Sequence, residues 1–170
     1  MVKASEAHGR KVVTRRGGRK VGKVEGVIID PTGQELMGLL VHRSRFRVLQ
    51  VVRWSHVLVF GPDWVVIESP AAVSRLEHEP DIAAVLQKQT QVRGLRLVTT
   101  HGHKLGKIVD LSFDETSGLV DGYELKSRLL SEGLGGTPFL PTPKWMELGK
   151  QFAVVVPESM DTIRASVSAV

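Results

Sequence analysis

"KVGKVEGVIID" (residues 20–30) and "KLGKIVDLSFD" (residues 104–114) together decide the fold of this 170-residue chain. Both run Lys-aliphatic-Gly-Lys-aliphatic and end on Asp. Placing Gly22 on Gly106 sets an offset of 84. At that offset Gly18, Lys20, Lys23, Asp30, Thr32 and Gly38 fall on Gly102, Lys104, Lys107, Asp114, Thr116 and Gly122. Upstream, Val13-Thr14 meets Val98-Thr99 after a one-residue change in the turn. Downstream, "RWSHV" (53–57) faces "KWMEL" (144–148) and "VVIES" (65–69) faces "VVPES" (155–159). Signals recurring in the same order are those of an internal duplication. The second copy carries an insertion near 127–143.

The grammar within each copy is that of short strands broken by Gly and Asp turns. Leu105, Val109, Leu111 and Phe113 are placed on one face by a period of two, and Val21, Val27 and Ile29 take the equivalent places. Gly22 and Gly106 sit inside long strands, where glycine marks a bulge or a tight bend. Asp30 and Asp114 open turns, because an Asp carboxylate can bond the backbone just downstream. Many short strands with glycine bends predict a mainly β chain of two tandem small barrels. The expected boundaries are a first barrel at 10–69, a helical connector at 70–93, a second barrel at 94–160 and a tail at 161–170. Within the connector, Ser69-Pro70 reads as a helix start, and a second start lies at Pro80, with Ile82, Val85 and Leu86 on one apolar face.

These residues resemble the PRC-barrel family, named for the cytoplasmic domain of the photosynthetic reaction-centre H subunit. The carriers are "LVTTHGHKLGKIVDLSFDETSGLVDGYEL", then "FLPTP", then "FAVVVPES" in the second copy. The first copy departs from the pattern: Gly26 stands where the second has Asp110, and "LQVVRW" replaces "FLPTP". The ribosome-maturation factor RimM also ends in such a barrel, but nothing here matches its first domain. The resemblance implies a fold, and settings that range from membrane complexes to ribosome assembly.

Composition narrows the function. Hydrophobic content of 42% suits a globular chain, and the absence of cysteine excludes disulfides, thiolate metal sites and a thiol nucleophile. "MVKASEAHGRK" lacks the apolar core of a signal peptide, and no apolar run approaches the ~20 residues of a membrane span. A cytoplasmic location is the expectation. Residues 1–60 hold 12 Lys or Arg against 4 Asp or Glu, whereas the other 110 hold 11 against 14. A basic first half attracts RNA, acidic protein or anionic headgroups, and it also suits solvated strand edges.

No catalytic constellation is legible. His101 and His103 straddle a turn glycine without a third metal ligand, "GLGG" and "RRGGRK" lack phosphate-loop spacing, and no Ser lies in a nucleophile elbow. A non-enzymatic chain without metal or cofactor is expected. Trp54 and Trp145 are each expected to plug a barrel end, with Phe152 doing the packing of Trp64. The candidate partner-binding residues lie where the copies disagree. Arg43, Arg45 and Arg47 alternate, so on one strand they share a face. Leu129, Leu130, Leu134 and Phe139 put much apolar surface into the insertion. The expected function is a protein-interaction adaptor or assembly module. The alternative is a ribosome-assembly or RNA-associated factor that binds through the basic half. Homodimerisation and peripheral contact with a membrane complex stay open.

Overall fold

The computed structural model describes residues 1–43, 46–88, 91–128, 130, 132 and 136–166. The chain opens with a short strand β1 (Val2–Lys3) and one turn of helix, α1 (Ala4–Ala7). The first sheet holds β2 (Lys11–Thr14), β3 (Lys20–Ile29), β4 (Leu36–Arg43), β5 (Phe46–Arg53), β6 (Val57–Phe60), β7 (Trp64–Ile67) and β8 (Val73–Arg75). Helix α2 (Pro80–Lys88) follows. The second sheet holds β9 (Arg96–Thr99), β10 (Lys104–Phe113), β11 (Val120–Lys126), β12 (Thr137–Pro141), β13 (Met146–Leu148), β14 (Phe152–Val155) and β15 (Arg164–Ser166).

The two sheets have the same order: β6-β7-β2-β3-β4-β5-β8 and β13-β14-β9-β10-β11-β12-β15. In each, the pairing of the first strand with the penultimate hairpin is parallel, β2 with β7 and β9 with β14. The fold is mainly β, two barrel-like halves in tandem. Thr14 and Thr99 close the same hairpin in both. Each amide donates across the turn, to Arg19 O at 2.9 Å and to His103 O at 2.8 Å, and each buried hydroxyl accepts a loop amide. The extra residue of the first loop accounts for the shift in offset from 85 to 84 across this turn.

Bulges set which side chains point inward. On β10 the register slips between Lys104 and Gly106 and again between Ile108 and Asp110. The buried apolar side chains are therefore Leu105, Ile108, Leu111 and Phe113, while Val109 is only half-buried. Strict alternation had placed Val109 on the core face, and each extra residue in a bulge reverses the phase. Gly106 takes φ +146°, and a Cβ there would lie 2.8 Å from Lys126 O and 2.9 Å from the Ser127 Cβ. At Gly22 a Cβ would meet Val41 Cγ1 at 2.6 Å and His42 O at 2.8 Å. The glycines let β4 and β11 cross close over the bent strands.

The segment expected to be a helical connector is divided. Ser69-Pro70 starts a single 3-10 turn, and β8 then pairs with β5 as the last strand of the first sheet. Only from Pro80 does helix follow. Its buried Ile82 and Val85 pack with Ile28 and Val51 on the outer side of the first sheet. The C-terminal segment repeats this: a 3-10 turn at Pro157–Met160, then β15 on β12, where a fraying tail was expected.

The halves do not keep separate cores. Val12, Val24, Leu39 and Ile67 belong to the same buried cluster as Leu97, Phe113, Tyr123 and Leu140. Their turns pair reciprocally. Leu36 N donates to Gly118 O and Val120 N donates to Gln34 O, both at 2.8 Å, around a bridge between Glu35 and Leu119. Each of these partners sits at the 84-residue offset from its counterpart, so a local two-fold axis passes between the turns. The first ten residues tie the halves together. β1 pairs with β10, Lys3 meets Glu124 at 2.7 Å, and α1 lies against both β3 and β10 with Ala7 fully buried.

Candidate interaction surfaces

The reciprocal junction shows how the Asp-led turns are used. Asp30 Oδ1 accepts from Gln34 N at 2.7 Å and Glu35 N at 2.9 Å, while Oδ2 accepts from Thr32 N at 2.9 Å. Asp114 Oδ1 accepts from the Ser117 amide at 2.6 Å, the Ser117 hydroxyl at 2.9 Å and Thr116 N at 3.0 Å. Those donors, the Ser117 amide foremost, hold the Asp114 carboxyl below its ordinary value. The tightened turns then dock on the opposite half. Gly33 O accepts from the buried Tyr123 hydroxyl at 2.6 Å, and Leu148 N donates to Pro31 O at 2.9 Å. Burial, and secondarily the charge of Asp30, push the Tyr123 phenol well above its ordinary value.

Trp54 belongs to this junction. It was expected to plug its own barrel; its ring lies tilted at 5.7 Å from Phe60 of that barrel but also edge-on at 5.8 Å from Phe113 of the other half. Gly118, at φ +77°, leaves room for the indole. The equivalent Trp145 is instead exposed. Sequence equivalence could not distinguish the two, because the junction half-buries Trp54 and leaves Trp145 outside.

Arg43, Arg45 and Arg47 do not lie on one strand. Arg43 ends β4 and pairs with Phe46 at the start of β5, so Arg43 and Arg47 stand on opposite arms of a hairpin. Arg45 lies outside the described residues. In the insertion, Phe139 sits in β12 and is buried, with the Arg164 guanidinium 5.6 Å from its ring. Leu130 packs partly against the shared core. Phe139 is buried because β12 pairs with β11 inside the sheet, and Leu130 packs against the core that both halves share. Leu129 and Leu134 fall outside the described residues.

Much of the basic first half is internally partnered. Arg15 and Arg16 meet Glu68 at 2.7 and 2.8 Å, and the Arg15 contact above all lowers the Glu68 carboxyl below its ordinary value. Arg53 bridges Glu79 and Asp81, which fastens α2 and lowers Asp81. Arg10 lies over the Phe60 ring at 4.6 Å and donates to Gly61 O.

Two of the concavities among the described residues bear on function. One, of about 440 Å³, lies between the halves and is lined by Ser5, His8, Glu25, Arg93 and Asp110 among others. Ser5 donates its hydroxyl to Asp110, and His8 Nδ1 lies 2.8 Å from Glu25 O. Asp110 thus explains one departure between the copies: it fastens the N-terminal segment, and Gly26 has no such duty. The other concavity, of about 510 Å³, lies on the second half beside Arg96 and Lys107. Among the described residues, no group of three His, Asp or Glu side chains is placed to hold a metal, and no helix is long and apolar enough to cross a membrane.

The sheet topology, the bent strand after the first hairpin and the Asp-led turn agree with a match to the PRC-barrel domain family over residues 1–73. Residues 1–73 are a PRC-barrel domain. The match ends at the first residue of β8, and the second sheet repeats the strand order of this PRC barrel outside the matched residues. A search of curated proteins returned no match to the chain.

Each half also carries an aromatic beside a cation at the same register. Lys11 pairs with Trp64 and Arg96 with Phe152; the Lys11 ammonium stands 4.9 Å from its ring and the Arg96 guanidinium 5.8 Å. Both rings remain exposed at about two-fifths of their surface, 40% for Trp64 and 39% for Phe152.

Proposed function

We propose that this chain is a non-enzymatic interaction module, built by duplication of a PRC barrel, that holds two related faces in a fixed arrangement for assembly with a protein partner in the cytoplasm. The observation that carries this reading is the fused junction. A common core and reciprocal turn bonds make the two halves one body, so their outward faces are positioned relative to each other without a hinge. Exposed Trp64, Trp145 and Phe152 supply aromatic anchors of the kind that concentrate binding energy at interfaces. The test is affinity capture from native cell extract with the full chain and with Trp64→Ala, Trp145→Ala and both together, each verified as folded by circular dichroism. A stoichiometric partner lost in the double variant supports the module. A chain that captures nothing, or captures the same proteins with both tryptophans removed, refutes it. Excising 127–143 is unsuitable, because that cut removes β12 and the buried Phe139 and Leu140.

The alternative, RNA association through the basic first half, keeps less support than the charge count suggested. Arg15 and Arg16 share the one carboxylate of Glu68, Arg53 is paired with Glu79 and Asp81, and Arg10 is held by Phe60 and Gly61.

A further inference from the structure

We propose that the outer face of the second barrel binds the phosphate backbone of single-stranded nucleic acid. The site begins with strand register. Phe152, Arg96, Lys107 and Lys126 are direct partners across four adjacent strands, β14, β9, β10 and β11. Directly opposed residues share a face, so three exposed cations stand in one row that ends on an exposed ring. At roughly 4.8 Å between strands the row spans about 14 Å. Like charges placed opposite each other destabilise a sheet. Among the described residues, none of the three cations has a carboxylate at ion-pair distance. A row that costs the fold stability and finds no internal counterion is suited to an external anion.

The concavity beside the row extends this charge. Its wall includes Arg93, Arg96, Lys107 and Lys150, with Gln91 and Gln151, and among the described residues no acidic side chain lines it. Five cations are therefore grouped on one side of a half, residues 93–170, that holds 9 Lys or Arg against 9 Asp or Glu. The ring of Phe152 at the end of the row offers a base a stacking surface next to the phosphate contacts, the combination on which single-strand binders rely.

The first barrel supplies an internal comparison. Its row reads Trp64, Lys11, Lys23, His42 and Leu49 in the same register. The turn that closes the site is the same in both halves: Gly61 N donates to Trp64 O, and Gly149 N donates to Phe152 O, each at 2.9 Å. Between those anchors the second half has Lys150 and Gln151, and the first has Pro62 and Asp63. The first row thus has fewer fixed cations and an acid at its mouth. It is the weaker site.

The experiment is fluorescence anisotropy of a labelled oligouridylate titrated with the full chain across a potassium chloride series. Linear polyphosphate, polyglutamate and phosphatidylserine vesicles are run in parallel. Contact with five phosphates gives a slope of log affinity against log salt near about −3.5, and the triple variant Arg96→Gln, Lys107→Gln, Lys126→Gln makes it shallower by about 2. Lys11→Gln with Lys23→Gln changes it less. Phe152→Ala weakens the oligonucleotide and leaves polyphosphate binding unchanged. Three results overturn the proposal: no saturable binding of the oligonucleotide, a triple variant with the wild-type slope, or tighter binding to polyglutamate or vesicles than to RNA. Because the Arg96, Lys107 and Lys126 triple variant leaves Trp64, Trp145 and Phe152 untouched, its outcome is separable from that of the adaptor reading.

Discussion

Replacing Tyr123 by Phe tests whether the two halves fold as one body. Tyr123 is fully buried in the second half, and its hydroxyl donates to Gly33 O of the first at 2.6 Å. The substitution keeps the ring, so it opens no cavity of consequence. What is lost is one neutral hydrogen bond, which costs about 1 kcal/mol if the Gly33 carbonyl regains a donor and about 1–3 kcal/mol if it stays unpaired. A destabilisation of about 1–2 kcal/mol is expected, which for a chain of this size lowers Tm by roughly 2–8 °C. The assay is denaturant unfolding followed by tryptophan fluorescence and by far-ultraviolet circular dichroism. With a shared core, both signals shift together to a lower midpoint with unchanged slope. Two separated transitions, or a variant within about 0.3 kcal/mol of the parent, would refute the account of the junction. The alkaline limb provides an independent check. A phenol raised above 10.0 in the folded state contributes stability that is complete below that pH and is lost as pH rises through the folded value. The Phe variant has no such phenol, so the stability difference between the two proteins narrows above pH 10.

Gly118→Ala places a Cβ onto the Trp54 indole at φ +77°, and about 2–4 kcal/mol of destabilisation with a red-shifted Trp54 emission is expected in equilibrium unfolding. Ile82→Ala removes the fully buried anchor of α2, at a cost of about 2–5 kcal/mol in denaturant unfolding. Hydrogen exchange should accelerate first in α2, with β9 to β11 still protected. The carboxyl of Asp114 is depressed in the folded chain, so its contribution is present above the ordinary value of 3.8 and is lost as pH falls below it. Asp114→Asn should therefore flatten the acid limb of the stability profile, read by circular dichroism, and an unchanged limb would remove the turn from the account of acid unfolding.

The repeated phrase was enough to read two β modules, their Asp-led turns and the glycine bends, because those depend on neighbours within about ten residues. Helix α2 was legible from Pro80 for the same reason. The spans on either side were misread where local preference and sheet completion compete. Ser69-Pro70 is a fair helix start, but the open edge of β5 takes up residues 73–75 as a strand, and the edge of β12 takes up 164–166 in the same way. The alternation of Arg43, Arg45 and Arg47 suggested one strand, and the pairing of β4 with β5 puts Arg43 and Arg47 on different strands.

What only the tertiary structure decided is everything that depends on register between distant strands. Val109 leaves the core face because of bulges that no pattern of hydrophobic residues reveals. The N-terminal residues clasp the second half, through Ser5 on Asp110 and Lys3 on Glu124, across more than 100 residues of chain. The row of Arg96, Lys107 and Lys126 is scattered in sequence among ordinary lysines and arginines, and becomes a surface only when three strands align. Sequence fixes which segments extend and where they turn. It does not encode locally which faces meet, because that is settled by burying both apolar faces in one core and leaving outside the charges that cannot be desolvated.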